Sequence, residues 1–174
     1  EQEGTYPLPE AQMDRFLMHL SVGYPEGGAE AEIVRLARTE ESAAPHVDAP
    51  GGQARLGQES IFAARTEIHA VQVSEAVEQY IVALVQATRE PAAVDAELAQ
   101  WIQVGVSPRG SIGLDKVARA YAWLQARDYV VPEDVQAGVH EVFRHRLILS
   151  YEAHAARVTA DAVIDRLVQK VAGA

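Results

Sequence analysis

Four helix-start signals punctuate this chain, and each is followed by apolar residues at helical spacing. Ser74 precedes Val77, Ile81, Leu84 and Val85. Ser107-Pro108 opens a stretch running to Gln125, Pro132 precedes Val135, Val139 and Phe143, and Thr159 precedes Val163, Leu167 and Val171. A serine or threonine at an N-cap accepts a hydrogen bond from a backbone N–H that lacks a helical partner. A proline at the first helical position loses nothing, because its missing N–H would be unpaired there anyway. Side chains at i, i+4 and i+7 lie on one face, which needs a partner surface. Helix must therefore pack on helix, and the fold class reads as mainly α. Composition agrees: the 174 residues are 48% hydrophobic but only 6% aromatic, and rich in alanine.

The remaining segments follow from local chemistry. Pro9 to Asp14 makes a short helix. Phe16, Met18, Leu20 and Val22 alternate, as a strand over Phe16–Val22 requires. One strand is not stable alone, so its partners are expected outside this sequence or on another copy. Residues up to about 26 are then expected to be disordered, or paired through that strand edge. Tyr24-Pro25-Glu26-Gly27-Gly28 marks a boundary. Helices are expected over Ala29–Arg38, Gly57–Ala70, the Ser74-capped stretch, Asp95–Gln103 with Trp101, and Pro108–Gln125. The last of these is read with Val117, Tyr121 and Leu124 on its inward face. Glu40–Ala54, rich in proline, glycine, alanine and acids, reads as a mobile loop. Val71–Val73 reads as an extended link.

Several function classes are excluded early. The formal net charge is −10, whereas sequence-blind nucleic-acid binding needs a basic face. With no cysteine, there is no disulfide framework, thiolate metal site or cysteine nucleophile. No apolar run approaches the ~20 residues of a membrane span. The opening Glu1 to Pro7 resembles neither a signal peptide nor a transmembrane segment, and the chain reads as a piece cut from a longer soluble protein. His140 and His145 are five apart and do not share a helix face as a metal pair would. Arg144-His145-Arg146 fits either a basic contact surface or cations at a helix C-terminus. Ser107 has no histidine and carboxylate arrangement behind it, so capping explains it rather than nucleophilic catalysis. Glu40-Glu41 read as a solvated face. Trp101, Tyr121 and Trp123 read as core or interdomain contacts.

One stretch carries chemistry. Gly105-Val106-Ser107-Pro108-Arg109 places an arginine in the first turn of a helix. Unpaired N–H groups and the helix dipole there favour an anion, and a guanidinium adds a planar donor fork for phosphate oxygens. A cation at a helix N-terminus is disfavoured by about 0.3–1 kcal/mol unless an anion visits it. Arg15 follows an acidic turn. By itself it reads as a surface arginine pairing with Asp14 or Glu10, worth ~0–1 kcal/mol.

Four blocks resemble MoxR-type AAA+ ATPases, in the order expected for that family. Thr5 to Phe16 resembles the segment after the sensor 1 strand. Gly105 to Arg109 resembles the sensor 2 motif. Asp128-Tyr129-Val130-Val131-Pro132-Glu133-Asp134-Val135 and Arg144-His145-Arg146-Leu147 resemble later signatures of the helical lid. The resemblance implies that residues 1–27 are the tail of the α/β nucleotide-binding core, a helix-strand remnant, and that residues 28–174 are the helical AAA+ lid. It implies that Arg15 is the arginine finger, acting on the neighbouring subunit's γ-phosphate. It further implies that Arg109 is the sensor 2 arginine, contacting β/γ-phosphates in cis, with Ser107 and Pro108 at the ATP site. Gly110 stands where a small residue such as alanine is common in that family, a mild change. No Gly-x-x-x-x-Gly-Lys-Ser/Thr run and no Mg²⁺-binding acidic strand occur here. ATP and Mg²⁺ would then be held by a core outside this sequence, and these residues alone should not hydrolyse ATP. The family further implies a cytoplasmic homo-oligomeric ring, expected as a hexamer, and partners bearing a von Willebrand factor A domain. The task implied is chaperone-like maturation or metal-cofactor insertion. The competing expectation is a stand-alone helical protein-interaction adaptor, against which the orphan strand speaks. A DNA-linked AAA+ role is disfavoured by the acidic charge.

Overall fold

The computed structural model describes residues 6, 8–42 and 56–171. Among these, nine helices and one two-stranded sheet follow in the order α1 (Glu10–Met13), α2 (Gly27–Ser42), α3 (Gln58–Ala70), α4 (Glu75–Arg89), α5 (Ala96–Trp101), β1 (Ile102–Val104), α6 (Pro108–Leu124), α7 (Pro132–Phe143), β2 (Ile148–Leu149), α8 (Tyr151–Ala155) and α9 (Ala160–Lys170). A short 3₁₀ turn, Pro91–Ala93, links α4 to α5. No helix among the described residues is long and apolar enough to cross a membrane.

The described residues form two compact units. One comprises those before Leu20 together with those from Ala64 onward; the other is Leu20–Ala63. The larger unit holds the core. Leu84, Leu98, Val106, Leu114, Val135, Val139, Val142, Phe143, Ile164 and Leu167 are buried in one cluster drawn from α4, α5, α6, α7, α9 and the loop before α6. Each such side chain contributes about 1.5–3 kcal/mol by leaving water. The smaller unit contains α2 and the start of α3, with Ile33, Val34, Leu36 and Ile61 exposed.

The expected caps form. Ser74 Oγ accepts from Val77 N–H at 3.3 Å, and Thr159 Oγ1 from Ala162 N–H at 3.1 Å. Asp95 caps α5 through Glu97 and Leu98 N–H, and its carboxylate also takes Arg166 and Lys170 of α9. One buried carboxylate thus ties α9 to the start of α5. The hydrogen bond from Arg166 holds its pKa well below the usual carboxylate range, against the opposing effect of burial.

Four expectations are corrected. Phe16–Val22 is not a strand: among the described residues it enters no ladder. Over residues 16–19 its backbone groups are instead taken by α7 and the residues after it. His19 N–H donates to Glu141 O, and the carbonyls of Phe16, Leu17 and His19 accept from arginine side chains. The orphan-strand argument against an adaptor therefore falls away. Secondly, α2 starts at Gly27 and continues to Ser42, so the pair of glycines opens the helix rather than preceding it, and Glu40–Ser42 are helical. The rest of the expected loop, 43–54, lies outside the described residues, as do Thr5 and Pro7 of the first resemblance block. Thirdly, the inward face of α6 consists of Gly110, Gly113, Leu114, Ala118 and Ala122, with Val117 half-buried. Tyr121 and Leu124 are exposed. The fourth correction concerns Asp95–Gln103: the helix stops at Trp101, and Ile102 begins β1, which pairs antiparallel with β2 as Ile102↔Leu149 and Val104↔Ile148.

Candidate functional site

The loop before α6 is held by side chains chosen for close approach. Val106 N–H donates to Thr88 Oγ1 at 2.9 Å, and Arg89 Nε donates to Val106 O at 2.8 Å, docking the loop on the end of α4. Gly105 lies against the α4 backbone. A Cβ there would sit 2.4 Å from Thr88 O, so only glycine fits. The turn then enters α6 as the sequence implies. Ser107 is extended and its Oγ accepts from Arg109 N–H at 3.2 Å, while Pro108 takes the first helical position. Arg109 follows in the first turn with half its side chain exposed.

The structure brings Arg109 beside the short α1 and the residues after it, 93 or more positions earlier in sequence. Asp14 is the meeting point. Its carboxylate accepts from Ser107 Oγ at 2.9 Å on each oxygen, and from Arg146 Nε at 3.1 Å. Arg109 Nε lies 3.6 Å from Asp14 Oδ2. Arg146, three residues beyond α7, is buried. Its guanidinium also donates to the carbonyls of Asp14 (3.1 Å), Phe16 (2.5 Å), Leu17 (3.3 Å) and Val142. Burial pushes the Arg146 pKa down and Asp14 pushes it back up. Arg15 is exposed and forms no ion pair or side-chain hydrogen bond with the described residues.

Together Asp14, Arg15, Leu17, Arg109, Lys116 and Arg146 line a cleft of about 470 Å³ beside Gly113 and Ile112. Four cations and one carboxylate line it, in a chain whose net charge is −10. A larger recess of about 750 Å³, between α5, β1 and α8, has no cation in its lining. The cleft suits phosphate oxygens, which Arg15, Arg109 and Lys116 can share, while the donors of Arg146 are already spent on Asp14 and the carbonyls. It does not suit Mg²⁺, because its one carboxylate is already engaged and surrounded by positive charge.

Sequence reasoning singled out Ser107, Pro108, Arg109 and Arg15. It pairs Asp14 or Glu10 with Arg15, a pair absent among the described residues, and does not connect Lys116 or Arg146 to the site. Asp14 and Arg146 both lie inside the quoted resemblance blocks, and that was the available signal. No periodicity links positions 132 apart.

A family model described as the AAA lid domain matches residues 95–167. Chaperone MoxR1 of Mycobacterium tuberculosis is 39% identical over 173 residues, which are 99% of this chain and 44% of that protein. Protein MoxR of Methylorubrum extorquens is 32% identical over 171 residues, covering 94% of this chain and 50% of the relative. The crystal structure of a putative ATPase from Cytophaga hutchinsonii superimposes with a TM-score of 0.86 at 39% identity, covering 99% of this chain and 51% of that one. The chain thus spans about half the length of the relatives it matches.

Proposed function

This chain is homologous to the C-terminal lid region of the MoxR family of AAA+ ATPases, and we propose that it forms the phosphate-sensing part of a ring-shaped ATP hydrolase. The observation that carries this reading is the cleft itself, which Arg15, Arg109, Lys116 and Arg146 line together with one carboxylate, Asp14. The adaptor reading gives that gathering no role.

We assign the two arginines otherwise than the resemblance implies. With Arg109 in cis and Arg15 in trans, they would serve two different nucleotides. Here both line one cleft of one chain. We therefore assign both to a single triphosphate, bound by the neighbouring subunit. Arg15 stabilises the charge that spreads over the γ-phosphate oxygens during transfer, and Arg109 holds the phosphates in register. The chain's own residues thereby bind, orient and exclude water from the phosphates. ATP and Mg²⁺ would be held by a nucleotide-binding core joined to this region, and Mg²⁺ would supply charge neutralisation there. Hydrolysis removes the anion that draws the arginines in, so lid and neighbour separate. The whole protein would be a cytoplasmic hexameric ring. It would mature partner proteins, including those with a von Willebrand factor A domain, in a chaperone-like or metal-cofactor-inserting role.

Mixed rings test the assignment. In the full-length protein, Arg15→Ala and Arg109→Ala should each lower ATP hydrolysis by roughly 10²–10³ while light scattering shows intact assembly. Co-assembling the two variants should not restore activity, because every interface lacks one arginine. Restoration would return Arg109 to the cis role, and full activity of either variant would remove that arginine from the site.

A further inference from the structure

Asp14 makes two kinds of contact in the cleft, and they differ in how firmly they hold. Arg146 is buried and spends its donors on the Asp14 carboxylate and on the carbonyls of Asp14, Phe16, Leu17 and Val142. Displacing it would strand several partly buried acceptors at once, each costly to leave unpaired. Arg109 is the opposite case. Its side chain is half exposed, and its one ion pair among the described residues is the 3.6 Å approach to Asp14, too long for a good hydrogen bond. The carboxylate it approaches also accepts the hydroxyl of Ser107, the residue that caps the same helix. Asp14 thus stands as an anion at the start of α6, next in sequence to Arg15.

We propose that Asp14 is a resident stand-in for phosphate: it holds Arg109 in the cleft and yields it to a polyphosphate, while Arg146 keeps the Asp14–Leu17 segment fixed. This rests on the phosphate-cleft reading above and adds its regulation. Asp14 is a positioning residue. It parks Arg109 beside Arg15 and offsets the repulsion among four cations, and it competes with the incoming ligand for one of them. A purely structural Asp14 would lose binding when neutralised. A competing anion, once neutralised, leaves the cleft more receptive.

The test uses the 174-residue chain and inorganic tripolyphosphate at low ionic strength, where exposed charges are least screened. Titration calorimetry of the Asp14→Asn chain should give binding about fivefold tighter than wild type, the scale of one half-exposed ion pair. In an Arg109→Ala background the same substitution should give no gain. Equal or weaker binding by Asp14→Asn, or an undiminished gain without Arg109, overturns the exchange while leaving the cleft reading standing. No tripolyphosphate binding by wild type or Asp14→Asn overturns both. A second measurement needs no variant. In the ¹⁵N spectrum of the wild-type chain, the Arg109 Nε–H resonance should move saturably with tripolyphosphate while that of Arg146 stays. A stationary Arg109, or both moving together, would count against the proposal even if Asp14→Asn failed to fold.

Discussion

Arg127 and Asp134 show how strongly single side chains are bound into this molecule away from the cleft. Asp134 is 1% exposed. Arg127 donates to both of its carboxylate oxygens, and Val131 N–H adds a third bond at 2.9 Å. Burial alone would push the Asp134 carboxyl up, but the Arg127 hydrogen bonds and the Val131 N–H outweigh it and hold its pKa below the ordinary value. Arg127→Ala would leave a buried carboxylate with one backbone donor. The expected loss is about 3 kcal/mol in a denaturant titration, since removing one partner of a buried pair costs more than the pair contributes. Arg109 belongs to a different regime. It is exposed and makes one long contact, and its substitution should change ligand binding and turnover with little effect on stability. Contrasting environments of this kind separate residues that build the fold from those free to act on a ligand.

At the scale of elements, two helices end in a way that composition conceals. After α6, Arg127 N–H bonds to Ala122 O and Ala126 N–H to Trp123 O, the pairing of a left-handed C-terminal stop. Val158 and Arg157 repeat the pattern after α8 with Ala153 O and His154 O. The residues in the left-handed conformation are Ala126 (φ 55°) and Arg157 (φ 57°), where glycine is usual. A Cβ at such a φ costs about 1–2 kcal/mol, and glycine returns part of that as chain entropy in the unfolded state. Ala126→Gly should therefore raise stability by about 0.5 kcal/mol, seen as a small rise in melting temperature with unchanged helix content. A fall would show that Ala126 packs in a way its backbone does not reveal. The α6–α7 contact was hidden for a related reason. It runs through small residues: a Cβ at Gly138 would come within 2.4 Å of Val117 Cγ1, so the two helices approach closely there. Hydrophobic spacing gives weight to Tyr121 and Leu124, which are large but face solvent. The stripe that is buried is glycine and alanine with one leucine.

On the scale of the larger unit, the Asp14–His19 segment is fastened to the end of α7 and the residues after it by hydrogen bonds. Arg144 donates to His19 O, Arg146 to three carbonyls, and His145 Nε2 lies 3.1 Å from Phe16 O. A carbonyl only accepts, so Nε2 carries a proton, and protonating the ring would put a second N–H on Nδ1. Its Nδ1 is buried with no partner among the described residues. Burial pushes the His145 pKa down, with Arg146 and His19 adding to that shift and the Phe16 carbonyl and Asp14 opposing it. A histidine with a folded pKa below 6.5 binds its proton more readily once released. This fastening is therefore at full strength above about pH 6.5 and weakens as pH falls below it, towards the lowered folded value. Amide exchange at His19, whose N–H bonds to Glu141 O, should accelerate relative to α4 core amides between pH 7 and pH 5.5, after correction for intrinsic rates. His145→Gln should remove that pH dependence.

The order of helices, their caps and the family were legible in the sequence, because each rests on neighbours within four residues or on contiguous motifs. Ser74, Ser107-Pro108, Pro132 and Thr159 announce helix starts through local hydrogen bonding, and the packing of the chain does not alter that chemistry. The cleft was half legible. Arg109 could be placed at the start of a helix and Arg15 beside an acidic residue, but nothing local could say that they share one cleft. Only the tertiary structure decided that Asp14 joins Ser107, Arg109 and Arg146, that Phe16–His19 binds arginines instead of a strand, and that α6 buries its small residues. In each case the free energy comes from groups up to 132 positions apart, whose proximity is a property of the packed core.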